Sequence, residues 1–208
     1  MAPLVWLVTG STSGIGAALV QGIAGRGDKV IATGRGAEQR LAHLKSDNIA
    51  VLDLDVTASK SDIDEQISKA VTLHGRIDVL VNNAGMSSTS PLEEASEAFV
   101  AQIFGVNLFG SMKVTQAVLP YMRAQGAGRI AFIGAGLAWG PFPFLGHYAM
   151  AKAALSSKPR ILRTHSQDTD ATSFRRDPRK GGLSLWHPRY HLRVWWLQHR
   201  SRIETPRR

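Results

Sequence analysis

Cysteine is absent from the 208-residue chain. That excludes a disulfide framework and any thiolate metal site, and no metal is expected from the remaining residues either. Long apolar runs are also missing. Residues 4–8 form a stretch of only five, with no basic segment before it and no cleavage site after it, so neither a membrane span nor a signal peptide is expected and the expected address is cytoplasmic. Acidic residues run short in one place only. Residues 1–157 hold twelve Lys and Arg against twelve Asp and Glu, whereas residues 158–208 hold thirteen against four and carry the whole net charge of +9. A basic total of that size suggests nucleic acid, but here it belongs to a tail. What is present is 44% hydrophobic content, enough for one domain with a core and too little length for two.

Along residues 1–157 short apolar runs alternate with segments of helical spacing. Residues 4–9, 29–33, 50–54, 78–82 and 129–133 read as strands. Helices are expected over 17–24, near 37–45, from about 61 to 73, and over roughly 96–123, where Phe99, Ile103, Val106, Val114 and Val118 make a buried stripe. Strands alternating with helices predict an α/β fold with a parallel sheet covered on both faces. Ligands of such sheets lie beyond the carboxyl ends of the strands, at the switch point where the strand order reverses.

The chemistry-bearing residues cluster at those strand ends. Gly10, Gly14 and Gly16 follow the first strand and open a helix. Glycines permit a tight turn and close backbone approach, and the helix N-terminus offers free N–H groups to phosphate, though a steric turn would use the same residues. The second strand ends in Thr33, Gly34 and Arg35, with no acid before Glu38. A basic residue there accommodates a 2′-phosphate, which favours NADP(H), unless Arg35 is an ordinary solvated loop residue. Asp55 follows the third strand and Asn82, Asn83, Ala84 and Gly85 the fourth; each could merely cap a turn. Asn107 lies in an otherwise apolar helix, where a buried amide needs partners. Tyr148 and Lys152, four residues apart, share a helix face. A charge held there favours the phenolate and draws a pKa that starts near ~10 toward working pH, which suits proton transfer to a substrate oxygen; alone, such a pair is ordinary surface packing.

In this order the motifs resemble the short-chain dehydrogenase/reductase family, over residues 4 to about 157. The resemblance implies a Rossmann-like, doubly wound domain that moves hydride between NAD(P)H and a small-molecule carbonyl or alcohol, commonly as a dimer or tetramer packed through its long helices. It implies that Gly10, Ser11, Ile15 and Gly16 line the pyrophosphate, that Asp55 meets the adenine, and that Asn83 lies on the ribose and nicotinamide side. Tyr148 would be the proton donor or acceptor. Lys152 would lower its pKa and hold the nicotinamide ribose, and Asn107 would order a water relay to Lys152. Arg35 would favour NADP(H) over NAD(H), and Lys113, on the helix of Asn107, is a further candidate for the cofactor site.

Two departures stand against that pattern. The family's catalytic Ser usually lies thirteen residues before the Tyr, a position held here by Ala135, and neither Ala135 nor Gly134 has a hydroxyl. Loss of one such donor costs ~10²–10³ in rate. The second departure is the tail. Residues 158–208 contain four prolines each followed by Arg, three of the five Trp and four of the seven His, and no Pro-Gly turn of the kind the family carries near the nicotinamide. The expectation is therefore a C-terminally incomplete fold, with the last strands and substrate loop missing and a basic, disordered, non-family tail after residue 157. An out-of-frame origin would explain that text. Alternatives to an enzyme are a non-catalytic NADP(H)-binding protein and a nucleic-acid binder acting through Arg, Lys and Trp of the tail. Residues 192–197 are amphipathic and basic but short, and exposed coil is expected there rather than a membrane contact.

Overall fold

In a computed structural model of the chain, the described residues are 2–87, 89–140 and 143–157, with the main chain of three later strands. Five strands build a parallel sheet: β1 (Val5–Val8), β2 (Lys29–Gly34), β3 (Ile49–Asp53), β4 (Val79–Asn82) and β5 (Gly128–Ile133), in the spatial order β3-β2-β1-β4-β5. The order reverses between β1 and β4, which opens a crevice at their carboxyl ends. These strands read as near-continuous apolar runs because both of their faces are covered. Leu7, Ile31, Leu80 and Ile130 point into one buried layer, while their neighbours Val8, Val30, Val81 and Ala131 point into the other. This is the doubly wound α/β architecture expected from the sequence.

The helices are α1 (Gly14–Ala24), α2 (Ala37–Arg40), α3 (Lys60–His74), α4 (Glu97–Phe104), α5 (Ser111–Ala124) and α6 (Gly146–Ser156). Ser59 caps α3 by accepting the Asp62 N–H, and Ser96 caps α4 by accepting the Phe99 N–H. Two helices differ from the sequence reading. The helix expected near 37–45 is one α-turn followed by a 3-10 turn over Ala42–Leu44, since only Ala37 and Leu41 anchor it in the core. The helix expected over 96–123 runs from Glu97 to Ala124 but widens into a π-turn over Gly105–Gly110, around Asn107. Among the described residues this 28-residue stretch is long and apolar enough to cross a membrane by length and composition. It is nevertheless placed as a core helix, with Ile103, Val114, Val118 and Met122 fully buried.

Beyond β5 the sheet continues. The main chain of β8 (Leu192–Leu197) lies parallel to β5, and β7 (Leu183–His187) and β6 (Phe174–Arg176) follow in antiparallel pairing. The stretch expected as exposed coil is thus a strand. An unpaired β5 edge offers a row of backbone donors and acceptors, and a segment rich in Val, Leu and Trp has the propensity to take it. The remainder of residues 158–208 lies outside the described residues.

Candidate active site

The glycine loop between β1 and α1 is braced from β4. The Thr9 hydroxyl accepts the N–H groups of Asn83 (3.0 Å) and Ala84 (2.9 Å), and the Asn83 amide donates to the carbonyls of Thr9 (2.9 Å) and Gly10 (3.0 Å). Gly16 returns against this brace so closely that a Cβ would lie 2.2 Å from the Gly10 oxygen. Only a glycine fits. Ser11 is fully buried, donating to the Val8 carbonyl (2.8 Å) and accepting the Thr33 N–H (3.3 Å), so its hydroxyl joins β1 to β2 instead of facing the crevice. Asn83 likewise spends its amide N–H groups on the loop. The exposed part is Ser13, Gly14 and Ile15. There α1 begins with no side-chain cap and no acid in its first turn, leaving N–H groups and the positive end of the helix dipole open to an anion.

A second group gathers at the ends of β2 and β3. Arg35 is exposed just past β2. The acid nearest in register, Asp53, pairs with Gly34 across the strands and is engaged through Oδ1 by the Glu38 N–H at 2.8 Å. Asp55 Oδ1 accepts both the N–H (2.8 Å) and the hydroxyl (2.7 Å) of Thr57. Burial pushes the Asp55 carboxyl up, but these two bonds and the charges of Arg35 and Lys113 outweigh it and leave its pKa below the usual value. The Lys113 ammonium donates to the main-chain carbonyls of Thr57 (3.1 Å) and Ala58 (2.5 Å).

The third group joins α6 to the π-turn. Asn107 is fully buried; its amide donates to the carbonyls of Met86 (2.8 Å) and Ile103 (2.9 Å) and its Oδ1 accepts the Met86 N–H (3.3 Å). A Cβ on Gly85 would lie 2.9 Å from Asn107 Oδ1 and 3.5 Å from Lys152 Nζ, so both side chains close on that point of the main chain. Lys152 is buried, its ammonium 2.8 Å from the Ile133 carbonyl and 5.8 Å from the Tyr148 ring centroid. Burial lowers its pKa to about 8. Tyr148 differs from expectation: burial raises its pKa, because the neighbouring ammonium is directed to a carbonyl and not to the phenol oxygen. At neutral pH the pair is a phenol beside an ammonium.

Before α6, Ala135 occupies an extended position between β5 and a 3-10 turn over Gly136–Ala138. Trp139 and Phe144 are exposed, and Phe144 has a positive φ of 64°. The Phe144 carbonyl accepts the Ser90 N–H (2.9 Å), which ties the segment before α6 to the one before α4. A cavity of about 360 Å³ lies beside them, lined by Thr89, Ser90, Glu94, Ala95, Ser96 and Phe99. Phe99 also meets the buried His147 edge-on, with ring centroids 6.1 Å apart, so the cavity wall touches the residue preceding Tyr148.

Lys152 and Asn107 therefore meet at Gly85, two residues from the Asn83 that braces the glycine loop, with the Tyr148 ring centroid 5.8 Å from the Lys152 ammonium, while Arg35, Asp55 and Lys113 form the far corner. The sequence reading gave no role to Thr9 or to Gly85 in the Asn82–Gly85 turn, and missed His147. Thr9 lies directly after β1 and before the first loop glycine, but its partners are more than 70 residues away, and nothing local marks His147.

The family model for short chain dehydrogenases matches residues 4–170, past the compositional boundary near 157. Among curated proteins, 3-ketodihydrosphingosine reductase of Bacteroides thetaiotaomicron is 34% identical over 162 residues, which is 78% of this chain and 58% of the relative. The Bos taurus dehydrogenase/reductase SDR family member 4 is 34% identical over 156 residues, 73% of this chain and 56% of the relative. The chain thus spans little more than half the length of these relatives. Among solved structures, a short-chain dehydrogenase from Streptomyces avermitilis aligns with a TM-score of 0.69 and 35% identity, covering 74% of this chain and 57% of that one. A gluconate 5-dehydrogenase from Burkholderia cenocepacia, in complex with NADP and tartrate, aligns with a TM-score of 0.69 and 29% identity, covering 74% and 62%. With its sheet order, braced glycine loop and Tyr148–Lys152–Asn107 cluster, the chain belongs to the short-chain dehydrogenase/reductase family of oxidoreductases.

Proposed function

We propose that the chain is an NADP(H)-dependent oxidoreductase that interconverts a small-molecule carbonyl and an alcohol. The observation that carries the reading is the meeting of Lys152 and Asn107 at Gly85, two residues from the glycine-loop brace, with the Tyr148 ring centroid 5.8 Å from the Lys152 ammonium. The residues fit the cofactor. The open N-terminus of α1 at Gly14 and Ile15 suits a pyrophosphate, and Asp55 suits the adenine. Arg35, with no side-chain hydrogen bond among the described residues and with Asp53 already engaged by Glu38, suits a 2′-phosphate. NADP(H), when bound, supplies or takes the hydride.

The chain's own part is proton management. Tyr148, held protonated by burial, gives its proton to the carbonyl oxygen during reduction and takes one back during oxidation. Lys152, still charged at pH 7, stabilises the tyrosinate that donation leaves. Asn107, locked to Met86 and Ile103, holds the π-turn beside Lys152, and with Ser111 donating to its carbonyl (3.4 Å) it marks where a relay would leave the site. A cytoplasmic homo-oligomer without specific nucleic-acid or membrane partners completes the reading.

Tyr148→Phe tests it. NADPH oxidation followed on a panel of aldehydes and ketones should fall by about 10²–10⁴ while the NADPH Kd stays within about twofold. Undiminished turnover in that variant would remove Tyr148 from the chemistry. Ala135 favours a second reading, a non-catalytic NADP(H)-binding protein, which is distinguished by cofactor binding without turnover on any carbonyl. Residues 158–208 are taken as text from a shifted reading frame, as their prolines, tryptophans and basic excess suggest. Sequencing independent transcripts across codon 157 tests that, and one uninterrupted frame in all of them overturns it.

A further inference from the structure

The loop between β3 and α3 is fastened to the long helix at two points three residues apart. At the first, Gly110 packs so tightly on Val56 that a Cβ would lie 2.8 Å from Val56 Cγ2 and 3.0 Å from the Val56 carbonyl oxygen. At the second, the Lys113 ammonium donates to the carbonyls of Thr57 and Ala58. Asp55 sits in the same loop, with its Oδ1 held by the Thr57 N–H and hydroxyl. Thr57 is therefore gripped from both sides: its carbonyl by Lys113, its N–H and hydroxyl by Asp55. Lys113 is half-buried, and its bonds to carbonyl oxygens are charge-assisted, stronger than neutral ones.

We infer that Lys113 is a positioning residue, which sets Asp55 for the 6-amino group of the adenine ring without itself touching the nucleotide. This rests on the nucleotide-binding reading above and reassigns Lys113 from a direct cofactor contact to the support of one. A carboxylate selects adenine over hypoxanthine only if its oxygen is held where the amino group arrives, because a misplaced acceptor leaves the donor unpaired. The Lys113 bonds and the Gly110 contact are the two devices that hold it.

The full chain is titrated calorimetrically with NADPH and with its hypoxanthine analogue, which lacks the amino group. Lys113→Met should weaken NADPH about tenfold, the size expected for a lost charge-assisted bond, and leave the analogue nearly unchanged. Lys113→Arg keeps donors for both carbonyls and should retain most of the preference. Gly110→Ala pushes on Val56 by a separate route and should erode the same preference, so that misfolding of one variant does not decide the matter. Equal losses for both nucleotides, or no loss in either variant, overturn the inference. If the unaltered chain binds NADPH without preferring it over the analogue, the inference fails and the nucleotide reading stands. If it binds neither, both fall.

Discussion

The proposed nucleotide side and the proposed substrate side of the crevice are built by opposite means. On the nucleotide side the polar groups that shape the loop are answered from distant parts of the chain: Thr9 and Asn83 bind each other across 74 residues, and Ser11 links β1 to β2 from within the core. On the substrate side the segment between β5 and α6 presents Trp139 at 73% exposure and Phe144 at 60%, with Phe144 in the left-handed region and Ala135 contributing no hydroxyl. A loop held by convergent hydrogen bonds has one geometry in which to receive a ligand. The described part of the other segment is held by main-chain bonds alone, a 3-10 turn over Gly136–Ala138 and the Ser90 N–H on the Phe144 carbonyl. On the proposed reading, substitutions on one side should change cofactor binding and substitutions on the other should change turnover.

The largest expected effect comes from repairing the substrate side. Ala135 has φ −142° and ψ 144°, an extended conformation that a Ser adopts without strain. Ala135→Ser should raise kcat by up to about 10²–10³ by restoring a donor to the developing charge on the substrate oxygen. The NADPH Kd should not move, since Ala135 lies on the other wall. Steady-state rates and calorimetric titration of the same preparation check both halves. A variant no faster than its parent would show that the missing hydroxyl is not what sets this side apart.

The two sides were also unequally legible in the sequence. The five parallel strands and most helices follow from apolar runs and periodicity, because burial on both faces leaves a pattern along the chain. The places of Gly10, Gly16 and Asp55 beyond the strand ends follow from the same pattern. The brace does not, since Thr9 finds its partners over 70 residues away and a lone Thr carries no sign of them. The π-turn was equally hidden: Asn107 stood out as a polar residue in an apolar stripe, but its anchor is the main chain of Met86. Spacing put Tyr148 and Lys152 on one face correctly and misjudged their coupling. It has no means of telling that the ammonium is drawn to the Ile133 carbonyl while burial moves the phenol the other way.

A smaller effect is expected from damaging the nucleotide side. Gly16→Ala would set a Cβ 2.2 Å from the Gly10 oxygen and 2.6 Å from Asn83 Nδ2, so either the loop or its brace must move. Overpacking of that kind costs about 1–3 kcal/mol, readable as a shift in the urea midpoint. NADPH affinity should fall with it, while the accessibility of Trp139 to a fluorescence quencher stays as before. Unchanged affinity would mean that the brace is not what shapes the phosphate loop, and the contrast between the two sides would lose its basis.

The most gradual effect is a pH dependence that belongs to Lys152, at the seam between the halves. Its pKa is about 8 in the folded chain and ~10.4 when unfolded, so below pH 8 both states carry the charge and the folded state bears the full cost of burying it. Between pH 8 and about 10 the folded chain releases its proton first and unfolding takes one up, so this residue makes stability rise with pH. One proton limits the slope to about 1.4 kcal/mol per pH unit. Tyr148 acts in the opposite sense but only above the ordinary phenol range, because burial raises its pKa and its contribution is lost as pH climbs through that raised value. Urea unfolding at pH 7, 8, 9 and 10 should therefore show a rise in the unaltered chain relative to Lys152→Met, in which the titrating group is gone. Parallel stability curves for the two would place the Lys152 ammonium in contact with water, and the dry seam between the glycine-loop brace and the segment before α6 would go with it.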